Sequence, residues 1–389
     1  MPEAVIVSAV RTPVGTARKG TLSETPAEKL ATHILLEAVR RSGLAPDRFD
    51  DVIFGESMYG GGDLARHAAV AAGMTHVPGQ AVNRHCASSL TAVATAAAGV
   101  RAGMDRAIVA GGVQSSSLAP VLSWRRPGGE ETEQRIAPTF PYTEDATDDT
   151  TLTVGWNVAQ EYGISRERMD AWAVRSHQRA VAATASGVFA DEIAPITVTT
   201  KDGAVVEFAA DEHPRPTTSL EKVAALRPLH PEIDGFSITA GNASGANDAA
   251  AALAVVADDL AREEGLTALA TVRAWASVGV QPRLTGLGAI DAAEKVLHRA
   301  GLKAADVHLW EINEAFASVP VAACQALGLD EDRVNVYGSG CSLGHPIAAT
   351  GARMLTTLTH ELRRRGGGIG VATMCAGGGQ GGAVVIEVS

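Results

Sequence analysis

The stretch RSGLAPDRFDDVIFGE (residues 41–56) has a counterpart in RAGLKAADVHLWEINE (residues 299–314). Each closes a helix, turns at a glycine, passes an aspartate and enters a short apolar strand. The helices that precede them, about Ala27–Arg41 and Ala289–Arg299, carry apolar residues at helical spacing. Strands read at Ala4–Ala9 and Thr271–Ala276 stand upstream in the same relative order. Downstream, a strand at Gln80–Asn83, a helix from Cys86 to about Arg101, Gly103 and a strand at Arg106–Ala110 make a further unit. Its counterpart runs from Val334–Val336 through a helix from Pro346 to about Arg365, past Gly366 to Gly368, to the strand Ile369–Met374. Two β-α-β halves with equivalent order predict a duplicated α/β core. Between them, residues about 119–245 break the pattern and are rich in Pro, Thr and acidic residues. That segment reads as an inserted loop domain, giving units at 1–118, 119–245 and 246–389.

The chain has 389 residues, more than one core ordinarily serves, and a formal net charge of −11. Such a charge argues against general nucleic-acid binding, which needs a basic face, yet leaves room for a local cationic patch. No apolar run is long enough to cross a bilayer, so no membrane partner is expected. The four cysteines (Cys86, Cys324, Cys341 and Cys375) form neither a C-x-x-C pair nor a disulfide framework. With a strand beginning at Ala4 and no peroxisomal tripeptide at the end, a reducing cytoplasm is the expected compartment.

The chemistry-bearing residues fall at the ends of the core strands. Cys86, in Asn83-Arg84-His85-Cys86-Ala87-Ser88-Ser89, stands at a strand-to-helix junction, where unpaired N–H groups favour a thiolate and are expected to lower its pKa. A free cysteine is otherwise most often a small buried hydrophobe. His345, in Gly344-His345-Pro346, takes almost the same place in the second half. There it could accept a thiol proton, or else cap the helix. Cys375 ends the last core strand before Gly377, Gly378 and Gly379, whose backbone could approach a substrate closely. Asn313 ends another second-half strand and could hold a water or a carbonyl oxygen. The repeat places all four at one end of the sheet, where α/β proteins bind ligands.

Over nearly its whole length the sequence resembles the thiolase family. The motifs run from Val5-Ile6-Val7-Ser8-Ala9-Val10-Arg11-Thr12-Pro13 through the Cys86 segment, Ala110-Gly111-Gly112, Asn313-Glu314-Ala315-Phe316-Ala317 and Gly344-His345-Pro346 to Cys375-x-Gly377-Gly378. The resemblance implies a duplicated five-layer α/β fold and reversible acyl transfer between coenzyme A (CoA) thioesters. It casts Cys86 as acyl-carrying nucleophile, His345 as its activator and Cys375 as acid/base. Asn313, through a water, and His345 would form one oxyanion hole; the N–H groups of Cys86 and Gly377 would form the other. Thr239–Gly245 is similar to the segment that lines pantetheine, giving Ala240 and Ser244 as CoA contacts. Arg215, with Lys222 or Arg227 nearby, would meet the CoA phosphates. CoA and acetyl-CoA are substrates in this reading, with no tightly bound cofactor and no metal. The resemblance implies dimers, often paired into tetramers; the 119–150 stretch, where tetramerising elements usually lie, is short and acidic here, so a homodimer is expected and a homotetramer is the alternative.

The sequence also departs from the family. Cys341-Ser342-Leu343 stands before Gly344, Ala348 replaces a usual glycine, and Thr150–Thr153 and Thr285 stand where bulkier pocket residues are usual. These smaller side chains predict a wider acyl pocket. Three other readings compete. A dinucleotide oxidoreductase is disfavoured because Gly338-x-Gly340-x-x-x-Gly344 is one residue too long and the following strand ends in Met374-Cys375-Ala376 without an acid. A decarboxylating ketoacyl-synthase-like enzyme would lack Cys375. A degenerate CoA- or lipid-binding thiolase would be expected to lack part of the Cys86, Asn313, His345 and Cys375 set.

Overall fold

The protein is described by a computed structural model over residues 1–389, excepting 60, 136–137 and 144–145. The two matching stretches fold alike. The helix Ala27–Ser42 buries Leu30, Ile34, Leu35 and Ala38 along one face and ends at Gly43 with φ of 73°. The helix Gly288–Ala300 ends at Gly301 with φ of 69°. This left-handed conformation costs glycine nothing and closes the helix. Each is followed by a 3₁₀ turn, Pro46–Arg48 or Ala304–Asp306, and then by the strand Asp51–Glu56 or Leu309–Ile312.

Strand pairing shows the same duplication. From one edge inward run Gly79–Val82, Asp51–Glu56, Ala107–Ser115, Asn247–Ala257 and Ala4–Arg11, joined by two parallel and then two antiparallel pairings. From the other edge run Val334, Leu309–Ile312, Gly368–Ala376, Gln380–Val388 and Ala270–Gly279, again parallel twice and antiparallel twice. The halves meet where Val5 and Ile6 pair with Thr271 and Ala270. One boundary differs from the sequence reading. Asn247–Ala257, expected in a second half beginning at 246, pairs with Ala107–Ser115 and Ala4–Arg11 and so completes the first half's sheet.

Helices Ala27–Ser42 and Gly288–Ala300 each cover the outer face of their own half. Helices Ser88–Ala102 and Thr350–Arg364 touch strands of both halves and form the layer between them. The arrangement is helix, sheet, helix pair, sheet, helix. Small side chains permit this close stacking: Ser88, Ser89, Ala92, Ala96 and Ala97 are buried in the first central helix, Gly351, Ala352, Thr356 and Thr359 in the second. The two helices are tied where Ala352 N–H donates to Ser89 Oγ at 2.9 Å. Gly112 marks another close approach, since a Cβ there would lie 2.1 Å from the Ala348 carbonyl oxygen.

The segment between the halves carries the helix Arg166–Ser186 and two small hairpins. Its Trp172, Phe236 and Ile238 pack into one apolar cluster with Phe316 and Val319 of the second half. Among the described residues no helix is long and apolar enough to cross a membrane.

Candidate functional site

Cys86 lies in the 3₁₀ turn His85–Ala87, which leads from the strand Gly79–Val82 into the α-helix Ser88–Ala102. The turn is stitched from within: Arg84 N–H donates to Ser88 Oγ at 2.9 Å, and that hydroxyl donates to the His85 carbonyl at 2.6 Å. His85 takes φ of 46°, a left-handed conformation that costs a non-glycine residue energy and needs its surroundings to hold it. The Cys86 thiol does not behave as expected from a helix start. Burial pushes it up to about 11, although its own N–H and that of Gly377 pull the other way. Desolvation of the charged sulfur therefore outweighs the local N–H dipoles, and the resting group is a neutral thiol.

His345 is fixed by the bend before it. Gly344 has φ of 99°, and a Cβ there would lie 2.6 Å from the Asn247 carboxamide. That carboxamide accepts the His345 N–H at 3.0 Å. Nδ1 of the buried imidazole lies 2.7 Å from Thr350 Oγ1, and Asn313 Nδ2 lies 3.4 Å from both ring nitrogens. Burial, with a smaller push from the Arg353 guanidinium, holds the imidazole down to about 3. Asn313 is itself fully buried, and its Oδ1 has no partner among the described residues. A buried amide with an unspent acceptor and only long contacts from its donor is poised for a further polar group.

Cys375 sits one residue before the end of the strand Gly368–Ala376 and is buried. Burial pushes its thiol far up, and the nearby Cys86 sulfur adds to the shift. The following glycine turn presents the Gly377 N–H to the Cys86 sulfur. Gly377 abuts the His85 ring, 3.3 Å from where its Cβ would be, and its carbonyl accepts from Gln380 Nε2 at 3.0 Å. Thus Cys86 from the first half and Cys375, Gly377, His345 and Asn313 from the second stand around the junction of the two central helices.

Several features were not legible in advance. Thr285 does not line an open pocket. It is buried, donates to the Pro282 carbonyl at 2.7 Å and accepts the Gly379 N–H at 3.0 Å, so it braces the glycine turn. Behind His345, the buried Arg353 pairs with Glu311 at 2.7 Å, and burial pushes that carboxyl up to about 7 against the pull of the guanidinium. Glu314, adjacent to Asn313, accepts from Trp172, Ser176, Asn335 and the Cys341 N–H, which anchors the Asn313 loop. Cys341 is thereby part of the wall, and burial pushes its thiol far up.

The expected CoA contacts lie on the loop-domain side. Ser244 N–H donates to the Ala315 carbonyl at 2.9 Å and Ala243 bridges to Phe316, so Thr239–Gly245 runs beside the Asn313 loop. Ala240 is exposed and Ser244 half-buried. Arg215, Lys222 and Arg227 are exposed on one short stretch. Arg215 is held by its N–H on His177 Nδ1 at 3.2 Å, and Lys222 by Nζ on the Thr217 carbonyl at 2.7 Å.

Comparison with known proteins gives the same picture along the whole chain. The family model for the thiolase N-terminal domain matches residues 4–259, and that for the C-terminal domain matches residues 266–388. The acetyl-CoA acetyltransferase of Escherichia coli (strain K12) is 41% identical, with 100% of this chain and 99% of that protein covered. The 3-ketoacyl-CoA thiolase of Bacillus subtilis (strain 168) is 39% identical, with 100% of this chain and 100% of that protein covered. The crystal structure of the Bacillus anthracis acetyl-CoA acetyltransferase superposes with a TM-score of 0.91 at 38% identity, covering 100% of this chain and 99% of that one. Neither the decarboxylating nor the degenerate reading finds such support, and the chain belongs to the thiolase family, acyltransferases that act on coenzyme A thioesters.

Proposed function

We propose that acyl transfer in this thiolase runs through Cys86, with His345, Cys375, Asn313 and Gly377 completing the machinery. In the cleavage direction the Cys86 sulfur bonds to the keto carbon of a 3-ketoacyl-CoA while its proton passes to His345. The oxyanion so formed is held by the Cys86 and Gly377 N–H groups. Its collapse breaks the C2–C3 bond, and the electron pair passes to the enolate of acetyl-CoA. Asn313, through a water, and His345 stabilise that enolate oxygen, and Cys375 protonates the carbon. The Cys375 thiolate then takes the proton of an incoming CoA thiol. The CoA sulfur attacks the acyl–Cys86 thioester, and Cys86 leaves and recovers its proton from His345. The reverse sequence is a Claisen condensation.

The observation that carries this reading is the convergence, on the Cys86 sulfur, of its own N–H, the Gly377 N–H and the Cys375 thiol. The neutral resting pair fits it too: a thiol at about 11 and an imidazole at about 3 hold no charge until substrate arrives. Proton transfer then accompanies attack. Condensation of acetyl-CoA alone tests the reading against decarboxylating chemistry. Acetoacetyl-CoA formed from acetyl-CoA is the expected product; formation only when malonyl-CoA is supplied would overturn it.

Arg215, Lys222 and Arg227 would meet the CoA phosphates, and Ser244 and Ala240 the pantetheine, because these residues flank the Asn313 loop or lie on one exposed cationic stretch. No tightly bound cofactor is needed for this chemistry. The assembly would be a homodimer, supported by the edge strand Gly79–Val82, whose Gln80 and Ala81 are exposed and whose outer side pairs with no strand among the described residues, leaving it for a copy of itself. A cytoplasmic setting suits a chain whose chemistry depends on two free thiols.

A further inference from the structure

Thr350 opens the second central helix and is fully buried five residues after His345. Its Oγ1 makes two short contacts: it donates to the Pro346 carbonyl at 2.9 Å, and it lies 2.7 Å from His345 Nδ1. A hydroxyl has one proton and two lone pairs. With the proton directed at Pro346, Thr350 can only accept from the ring, so Nδ1 must carry the imidazole hydrogen. The second neighbour agrees. Asn313 Nδ2 is a donor and lies 3.4 Å from each ring nitrogen. Nδ1 is already occupied by Thr350, so Nε2 is the nitrogen left to face a donor with its lone pair. The ring is neutral at working pH, since burial holds it down to about 3, so one nitrogen only is protonated. The β-branched side chain on a helix has few rotamers, which keeps the hydroxyl in place.

We infer that Thr350 is a positioning residue: its hydroxyl accepts the His345 Nδ1–H and fixes the tautomer that leaves Nε2 as the proton acceptor for Cys86. This rests on the reading of His345 as the base. A hydroxyl turned toward Nδ1 would give the opposite tautomer, with Nε2 protonated and no lone pair for the thiol. The hydrogen bond that the other ring nitrogen makes is what selects between them.

Nitrogen-15 NMR of the whole enzyme with labelled histidine decides the point, with the His345 signals assigned by their loss in His345→Gln. The expected spectrum shows Nδ1 protonated and Nε2 pyridine-like. A protonated Nε2 would overturn the inference. Thr350→Val removes the hydroxyl at nearly constant shape. It should slow single-turnover acylation by acetyl-CoA roughly 10- to 100-fold, leave the CoA KM unchanged and give mixed tautomers, and Thr350→Ser should restore the acylation rate and the single tautomer. Wild-type acylation in Thr350→Val would overturn the role of Thr350. Wild-type acylation in His345→Gln would instead overturn the reading of His345 as base, so the two failures are distinguishable.

Discussion

Replacing Cys375 by Ala should separate the two halves of the reaction. The thiol is buried beside Cys86, and among the described residues Cys86 is the one titratable group that perturbs it, so no neighbouring acid stands ready to replace it. Its strongly raised pKa suits protonation of a carbanion, because the thiol stays protonated until the enolate forms. General acid–base catalysis contributes about 10²- to 10⁴-fold. The loss should fall in the middle of that range, near 10³-fold or about 4 kcal/mol of barrier. Acylation of Cys86 by acetyl-CoA uses Cys375 only to protonate the departing CoA thiolate, a good leaving group that water can also protonate, so it should stay within about tenfold of wild type. The variant loses one buried sulfur, which costs about 1 kcal/mol of stability and should lower Tm by only a few degrees. The assay pairs rapid-quench mass spectrometry of the acylated enzyme with exchange of the acetyl-CoA methyl protons in D₂O. Expected are near-normal acyl-enzyme formation, no measurable exchange and negligible turnover. An equal fall in acylation and turnover, or exchange at the wild-type rate, would refute the separate role of Cys375.

Alkylation of Cys86 by iodoacetamide should keep rising from pH 7 to pH 10 without a plateau, because its thiol is pushed up to about 11 and the thiolate is scarce below that; saturation below pH 8 would contradict this. Activity should show no acidic limb from His345 near pH 6.5, since the imidazole is held down to about 3 and the base is lost only as pH falls through that value. Arg215→Ala should raise the CoA KM several-fold with kcat nearly unchanged, measured in thiolysis at varied CoA; an unmoved KM would remove Arg215 from the phosphate site. Leu152, Thr153 and Trp156 line a cleft of about 560 Å³, and an acyl chain that reaches it would gain about 0.8 kcal/mol per buried methylene. Six-carbon 3-ketoacyl-CoA should therefore exceed acetoacetyl-CoA in kcat/KM by about fifteenfold, and a preference for acetoacetyl-CoA would sink the idea.

The duplication was legible because its signals are local. Glycines at 43 and 301 stop two helices of equal phase, and a 3₁₀ turn and an apolar strand follow each. The strand Asn247–Ala257 was misassigned because it is a run of alanine and valine, buried on both faces, and its neighbours are set by pairing that no local pattern encodes. The residues proposed for catalysis stood out in the sequence because each closes a strand or opens a helix in the repeat. Their electrostatics did not: the desolvation that outweighs the helix-start dipoles at the Cys86 sulfur comes from packing that appears only in three dimensions. Thr285 was misread as a pocket residue because its two hydrogen-bond partners lie in the Pro282 turn and the Gly379 turn, 94 residues apart in the case of Gly379. The Glu311–Arg353 pair is likewise 42 residues apart and leaves no trace in spacing.

The central claim is that Cys86 carries the acyl group. Intact-mass and peptide mass spectrometry after mixing with acetyl-CoA tests it most directly, on the wild-type enzyme, Cys86→Ser and Cys375→Ala. The account predicts a single acetyl group on the Cys86 peptide in wild type and in Cys375→Ala, and none in Cys86→Ser. An acetyl group that persists in Cys86→Ser, or that maps to Cys375 or Cys341, would contradict it.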